Sequence, residues 1–215
     1  MLDILAVAAL LNVAPPAFPG SVPCADVPVA ADPDDYRALW EGAMSWEEFL
    51  ADTERRREGW FENWVESAEI DEAIVERARG AGGRWYLLAV AIDSCSDSVS
   101  TIPYLARLAA EVEGLELRVV KPDAGRWIME AHPTPDGRPA TPTVMLLDEN
   151  FEERGCFIER PTPRQTLILE NPEALCRSEI FEFKMGWYAE DEGHETVREM
   201  ADVVEAASRG EVRCG

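Results

Sequence analysis

A continuous apolar run, Arg84-Trp-Tyr-Leu-Leu-Ala-Val-Ala-Ile92, constrains the fold more than any other segment of the chain. A short run without polar alternation is typical of a strand that is buried on both faces of a sheet. Such a strand lies inside a sheet that is covered by helices on both sides. The run therefore predicts a layered α/β domain with residues 84–92 away from the sheet edge.

The segments after this run alternate between helical and strand patterns. Further strands are predicted at 115–120, 143–147 and 154–158, and helices between them at 97–113 and 124–132. Because a helix crosses between the first two strands, these should be parallel. The last two strands are joined by a short turn and should be antiparallel. With the helix predicted after the last strand, the segment order is β-α-β-α-β-β-α.

Helices are also predicted before and after the sheet. Asp32-Pro33 has the pattern of an N-cap followed by proline in the first turn, and Ser45–Glu48 is a capping box. We expect the helix that starts at Ser45 to continue through Trp60 and Trp64. The other helices are predicted at residues 71–79, 163–170, 173–189 and 194–208.

The first 33 residues differ in composition from the rest of the chain. Residues 1–14 are apolar, and six prolines follow between residues 15 and 33. We interpret 1–33 as an apolar segment and a poorly ordered linker, followed by a single domain over 34–210 with extra helices at both ends. The apolar run is too short for an integral membrane span. It lacks a basic start, so we expect a cytoplasmic protein, with export as the alternative if residues 1–31 are an atypical signal peptide.

The net charge excludes one class of partner. Asp and Glu number 42 against 20 Lys and Arg, which gives a formal charge of −22. Nucleic-acid binding needs clustered cations to neutralise phosphates, so we expect no nucleic-acid partner. The one basic run, Arg55–Arg57, is flanked by glutamates and is interpreted as a solvated helix face.

The cysteines and histidines do not form a recognisable metal or disulfide pattern. No two of the five cysteines have CxxC spacing, and His132 and His194 lie far apart. We therefore expect no metal site, no cofactor and no disulfide-stapled scaffold. The cysteines are Cys24, Cys95, Cys156, Cys176 and Cys214.

Cys95 stands out because it falls where a buried strand gives way to a helix. At a helix N-terminus the backbone N–H groups and the helix dipole stabilise a thiolate. Pro103 follows eight residues later inside the same helix, and Ala140-Thr-Pro-Thr143 opens the next strand but one. This arrangement makes Cys95 the first candidate for a reactive residue.

These features resemble the thioredoxin-like superfamily, and in particular a bacterial "thioredoxin family protein" group with a Trp-Cys-Gly-Asp type motif. The resemblance implies an α/β thioredoxin-like fold with a central mixed sheet. It also implies a cis Thr141–Pro142 bond that faces Cys95, with Thr141 and Pro142 as substrate-binding residues. The matching segments lie between Trp40 and Ala207 and are Gly42–Phe49, Cys95–Asp97, Ile102-Pro103, Lys121–Asp123, Ile128-Met129, Pro142-Thr143, Leu147–Glu149, Arg160-Pro161, Lys184–Tyr188 and Asp191–Gly193.

The departures from the thioredoxin pattern limit the chemistry. Ser94 replaces the tryptophan before the cysteine, Ser98 replaces the second cysteine, and Ala89 replaces a buried acid. Without a second local thiol, the two-cysteine cycle is not expected. Cys95, Asp97 and Ser98 are the candidate catalytic residues. Asp97 should oppose thiolate formation, whereas Ser98 could donate a hydrogen bond to a thiolate.

Two functions remain open from the sequence. The first is a monothiol thiol–disulfide oxidoreductase whose partner is a protein or a low-molecular-weight thiol or disulfide, with Cys156 or Cys214 as a candidate remote resolving thiol. The second is a non-catalytic thioredoxin-fold binding module. A third, peroxide reduction, is disfavoured because no arginine lies within ten residues of Cys95 in the sequence.

Overall fold

The computed structural model describes residues 32–170 and 178–214, with the side chains of 178–181 excepted. The interpretation of residues 1–31, together with Cys24, Cys176 and the beginning of the helix predicted at 173–189, lies outside the described residues. In the described residues the helices are α1 (Pro33–Glu41), α2 (Trp46–Asp52), α3 (Arg57–Glu66), α4 (Glu72–Ala81), α5 (Ser96–Glu111), α6 (Pro122–Ala131), α7 (Thr162–Glu170), α8 (Ser178–Asp191) and α9 (His194–Ser208). The strands are β1 (Met44–Ser45), β2 (Trp85–Val90), β3 (Leu115–Val120), β4 (Thr143–Leu147), β5 (Glu153–Ile158) and β6 (Arg213–Cys214).

The strands form one mixed sheet in the order β1-β3-β2-β4-β5-β6. β2 and β3 are parallel, and β4 is antiparallel to both β2 and β5. The four predicted strands and their directions are therefore confirmed, and β2 lies inside the sheet. The two-residue strands β1 and β6, which extend the sheet at its edges, were not predicted.

β2 is buried on both faces, as its apolar run predicts. Leu87 and Ala89 point into the cluster that contains α3, α4, α5 and α9 side chains. Leu88 and Val90 point into a second cluster, formed with side chains of α1 and α6. The helices thus cover both faces of the sheet. No helix in the described part of the chain is both long and apolar enough to cross a membrane.

The predicted continuous helix from Ser45 to Trp64 is wrong. The capping box at Ser45 is present, but α2 ends at Asp52 and Arg56 has a φ of 51° before α3 begins. The break occurs because the backbone N–H groups of Glu54 and Arg55 turn toward the Asp93 carboxylate. Only Arg57 of the basic run is therefore helical, although all three arginines are exposed.

Pro103 lies inside α5 and removes one backbone hydrogen bond from that helix. A proline has no N–H for the carbonyl four residues earlier, which here belongs to Val99. The side-chain amide of Asn63 on α3 donates to the Val99 carbonyl at 2.7 Å. α3 therefore satisfies the acceptor that the proline leaves open on the cysteine-bearing helix.

Candidate functional site around Cys95

Cys95 is the N-cap residue of α5 and is half-buried. Its Sγ donates a hydrogen bond to the carbonyl of Thr141 at 3.1 Å. The Thr141–Pro142 peptide bond is cis, and Pro142 is buried. The backbone N–H of Glu159, just after β5, donates to the Pro142 carbonyl at 2.7 Å and fixes the loop to the sheet. The structure thus brings Cys95, Thr141 and Pro142 together.

The loop that leads to Cys95 is held by the α2–α3 connection. The Asp93 carboxylate accepts backbone N–H bonds from Glu54 at 3.0 Å and Arg55 at 2.8 Å. Burial acts to raise the pKa of Asp93, but these two hydrogen bonds outweigh it and the pKa is lowered. Arg56 Nε donates to the Ser94 carbonyl at 2.8 Å, and Trp60 Nε1 donates to the Asp93 carbonyl at 3.1 Å.

Asp97 is buried and its carboxylate is fully engaged by the C-terminal part of the chain. Its relative exposure is 4 %. The Lys184 ammonium group forms an ion pair with Oδ2, and the Tyr188 hydroxyl donates to Oδ1 at 2.7 Å. Lys184 Nζ also donates to Ser96 Oγ at 3.0 Å. The negative charge of Asp97 is therefore paired with the ammonium group of Lys184.

Tyr188 contributes a hydroxyl that stays protonated. Burial raises its pKa well above the ordinary tyrosine value, and the Asp97 carboxylate raises it further. At neutral pH the phenol is thus a hydrogen-bond donor to Asp97.

Two buried arginines add positive charge beside this pair. Arg160 is 9 % exposed, lies 3.8 Å from Asp97 Oδ2 and pairs with Glu159. Arg164 is fully buried, and its guanidinium has no hydrogen-bond partner within the described residues. Burial lowers the pKa of Arg164, as does the neighbouring cation of Arg160. The buried Asp97 carboxylate thus lies between the cations of Lys184 and Arg160, while Glu159 pairs with Arg160 and Arg138.

Ser98 occupies the position of the second thioredoxin cysteine and is fully buried. Its Oγ has no hydrogen-bond partner among the described residues. The structure therefore shows no hydrogen bond from Ser98 to the Cys95 sulfur. The expectation that Ser98 assists a thiolate stays a prediction.

Cys156 and Cys214, the candidate resolving thiols, are joined to each other in a disulfide. In this form neither cysteine has a free thiol that could react with Cys95. Cys95 is the one free cysteine among the described residues. Sequence reasoning did not pair the two cysteines, because they lie 58 residues apart and on different strands. A remote resolving role would require this disulfide to open first.

Several residues at the site were missed by reasoning from the neighbourhood of Cys95. Arg56, Arg160 and Lys184 are distant in sequence, so the absence of arginine within ten residues of Cys95 did not mean absence of arginine from the site. A signal existed in the segments that carry the resemblance, since these include Arg160, Lys184 and Tyr188. Lys184 is also one of only two lysines in the chain.

Comparison with known proteins supports the fold directly. The chain is similar in structure to a crystal structure of PA1234, a protein of unknown function from Pseudomonas aeruginosa, with a TM-score of 0.61 and 21 % identity over 80 % of this chain and 98 % of that one. It is also similar to an HIV epitope-scaffold, with a TM-score of 0.60 and 20 % identity over the same shares of the two chains. No curated protein matches the sequence. A family model described as thioredoxin matches residues 43–175, which is more than half of the chain, and the protein therefore belongs to the thioredoxin family.

Proposed function

We propose that Cys95 is the single nucleophile of a monothiol thiol–disulfide exchange protein, acting on a protein or a low-molecular-weight disulfide. The observation that carries this proposal is the placement of Cys95 at the N-terminus of α5, against the Thr141–Pro142 loop. The positive end of the helix dipole lies at that position and stabilises a thiolate.

The pairing of Asp97 with Lys184 removes the main objection to a reactive Cys95. A free carboxylate two residues from the sulfur would oppose thiolate formation through like-charge repulsion. Here the carboxylate forms an ion pair with Lys184 and lies 3.8 Å from Arg160. The negative charge of Asp97 is therefore compensated by these two cations and does not stand alone beside the sulfur.

The exchange needs an external thiol to complete a cycle. The Cys95 thiolate attacks one sulfur of a partner disulfide, which forms a mixed disulfide and releases the other sulfur as a thiolate. An external thiolate then attacks the partner's sulfur in the mixed disulfide and releases the Cys95 thiolate. Ser98 cannot act as the resolving group, since a hydroxyl does not exchange with a disulfide. Thr141 would receive the partner's backbone beside Cys95.

Alkylation of Cys95 with iodoacetamide across a pH series tests this proposal, with peptide mapping to separate it from the other thiols. We expect a pH midpoint of alkylation that moves upward in Lys184→Gln, because Asp97 then loses its ion pair with Lys184 and keeps only the more distant Arg160. Lys121→Gln is the matched control, since Lys121 pairs with Asp52 on the surface. Equal profiles for the two lysine variants would contradict the electrostatic role of Lys184.

One observation favours the alternative, a non-catalytic binding module. The hydrogen bond from Cys95 Sγ to the Thr141 carbonyl stabilises the protonated thiol. Incubation of the folded protein with oxidised glutathione separates the two functions. A mixed disulfide on Cys95, absent in Cys95→Ser, supports exchange chemistry. A folded protein whose Cys95 neither alkylates at pH 8 nor forms the mixed disulfide would support the binding module.

A further inference from the structure

Three sulfur and nitrogen side chains meet at the far edge of the sheet, although their sequence spacing predicts no metal site. His132 lies at the C-terminus of α6, Cys156 on β5 and Cys214 on β6. One ring nitrogen of the histidine and the two sulfurs lie within 4.8 Å of one another. The cluster shares no residue with the Cys95 site, although Arg160, which lies near Asp97, also lines the cavity beside it.

Glu153 and Tyr36 hold His132 in position. The Glu153 carboxylate lies 3.5 Å from His132 Nε2 and accepts a hydrogen bond from the Tyr36 hydroxyl at 2.5 Å. A carboxylate beside the ring of a ligating histidine is the usual outer-shell arrangement at zinc sites, because it holds the imidazole in position.

Gly155 allows the C-terminal strand to bring Cys214 to the sheet. A Cβ at this position would lie 2.3 Å from the carbonyl oxygen of Arg213 and 2.4 Å from Val203 Cγ1. Only a residue without a side chain lets β6 lie this close to β5. Cys214 is exposed whereas Cys156 is buried, so a reductant can reach the disulfide from the Cys214 side.

A cavity of about 400 Å³ adjoins all three side chains. Its walls also include Pro133, Ile158 and Thr166. It is large enough for a water molecule or an external ligand to complete a tetrahedral shell of four.

We propose that reduction of the Cys156–Cys214 disulfide converts this cluster into a Zn²⁺ site with Cys156, Cys214 and His132 as its protein ligands. Two molecules of a low-molecular-weight thiol reduce the disulfide to two cysteine thiols and leave as one disulfide. Each cysteine then releases one proton when its thiolate binds the metal. The site therefore exists only in the reduced protein and is exchanged for the disulfide on oxidation.

The ligand chemistry and the spacing both suit zinc. Two thiolates and an imidazole form a Cys₂His set, which zinc binds with a water in the fourth position. Zn–S bonds of about 2.3 Å in a tetrahedron place ligand atoms roughly 3.5–3.8 Å apart. Sulfurs released from a disulfide need to separate by only a short distance to reach this spacing. The proposal does not depend on the chemistry of Cys95.

Co²⁺ titration of the reduced full-length chain tests the site directly. Cys24, Cys95 and Cys176 are changed to serine, so that Cys156 and Cys214 are the only thiols. After reduction with a phosphine and anaerobic desalting, we expect thiolate-to-cobalt charge-transfer absorption that saturates at one Co²⁺ per chain. Zn²⁺ should abolish this absorption by displacing the cobalt. The oxidised protein should show no such absorption.

Matched variants identify the ligands. His132→Ala should weaken Co²⁺ binding at least about tenfold, whereas His194→Ala, which removes the only other histidine, should not. Glu153→Gln should weaken binding by about 10–100-fold, as expected for an outer-shell partner. Circular dichroism of each reduced variant shows whether it is folded. The proposal is overturned if the folded, reduced protein binds Co²⁺ no better than the oxidised protein, or if the two histidine variants bind alike.

Discussion

Lys184 on α8 reaches the carboxylate of Asp97 on α5, which lies 87 residues earlier in the chain and two residues after Cys95. Both side chains are largely buried, at 14 % and 6 % exposure. The pair connects the C-terminal helices to the cysteine-bearing helix. It also sets the charge in the first turn of that helix.

Lys184→Met should lower the free energy of unfolding by about 3 kcal/mol, because it leaves the Asp97 carboxylate buried without its lysine. The double variant Asp97→Asn/Lys184→Met should recover part of this loss, since a neutral amide can still accept the Tyr188 hydroxyl bond. Urea unfolding at pH 7 measures both. Lys121→Met, at an exposed ion pair, should change stability by less than about 1 kcal/mol. A double variant no more stable than Lys184→Met would show that the buried charge is not the cause.

Glu199→Gln should stabilise the protein at pH 7 but not at pH 4. Glu199 is 3 % exposed and accepts the Thr162 N–H at 2.7 Å. Burial raises the pKa of Glu199, and the negative charge of Glu195 raises it further. The Thr162 hydrogen bond and the cation of Arg198 lower the pKa, but they offset the rise only in part. The folded state therefore holds this proton to a higher pH than the unfolded state does, and the cost of ionisation appears as the pH rises above the unfolded value of about 4.3.

Thermal unfolding of the wild type and Glu199→Gln at several pH values between 4 and 7 checks this expectation. The difference in midpoint between the two proteins should grow with pH. A constant difference would mean that the glutamine acts through packing and that ionisation of Glu199 carries no cost.

Cys214→Ser should lower the stability of the non-reduced protein by about 2–4 kcal/mol, since the disulfide closes a long loop in the unfolded chain. Guanidinium unfolding with and without a reductant provides the measurement, in the presence of a chelator so that no metal contributes. The wild type should lose stability on reduction, whereas the variant should not respond. Equal responses to reductant in the two proteins would argue against the Cys156–Cys214 bond as the stabilising feature.

Gly155→Ala should detach the C-terminal strand. The added methyl group would overlap the Arg213 carbonyl and Val203, so β6 must move away from β5. We expect the fraction of chains with the Cys156–Cys214 disulfide to fall in a glutathione redox buffer, as measured by mass spectrometry after alkylation. Gly80→Ala is the control, because a Cβ there meets no atom within 4 Å and its φ is not positive. Gly80 lies on α4, away from β6. Retention of the disulfide at the wild-type level would contradict the role of this glycine.

The sheet could be predicted from the sequence because its strands are specified locally. The unbroken apolar run at 84–92 can be buried on both sides only inside a sheet whose two faces are covered by helices. The helix that crosses from this strand to the next one fixes the direction of the next strand. The edge strands β1 and β6 have two residues each, which is too few for any periodicity. Their pairing follows from tertiary contacts such as the close approach at Gly155.

The site was only half predictable for a related reason. Cys95 and the Thr141–Pro142 loop lie at strand ends, where the fold itself determines their position. The partners of Asp97 come from α8 and from the segment after β5, and no local pattern in the sequence relates Lys184 or Arg160 to a carboxylate on α5. The same holds for His132 with Cys156 and Cys214, which belong to three separate elements.

The bond from Asn63 to the Val99 carbonyl limits how far the protein could be shortened. In a chain trimmed to begin at β2, the carbonyl of buried Val99 would lose the hydrogen bond from Asn63. Pro103 has no N–H that could replace it, and a buried acceptor without a donor destabilises the fold. It would also strip Asp93 of the N–H groups of Glu54 and Arg55. The helices before β2 therefore belong to the smallest fragment in which Cys95 could keep its position.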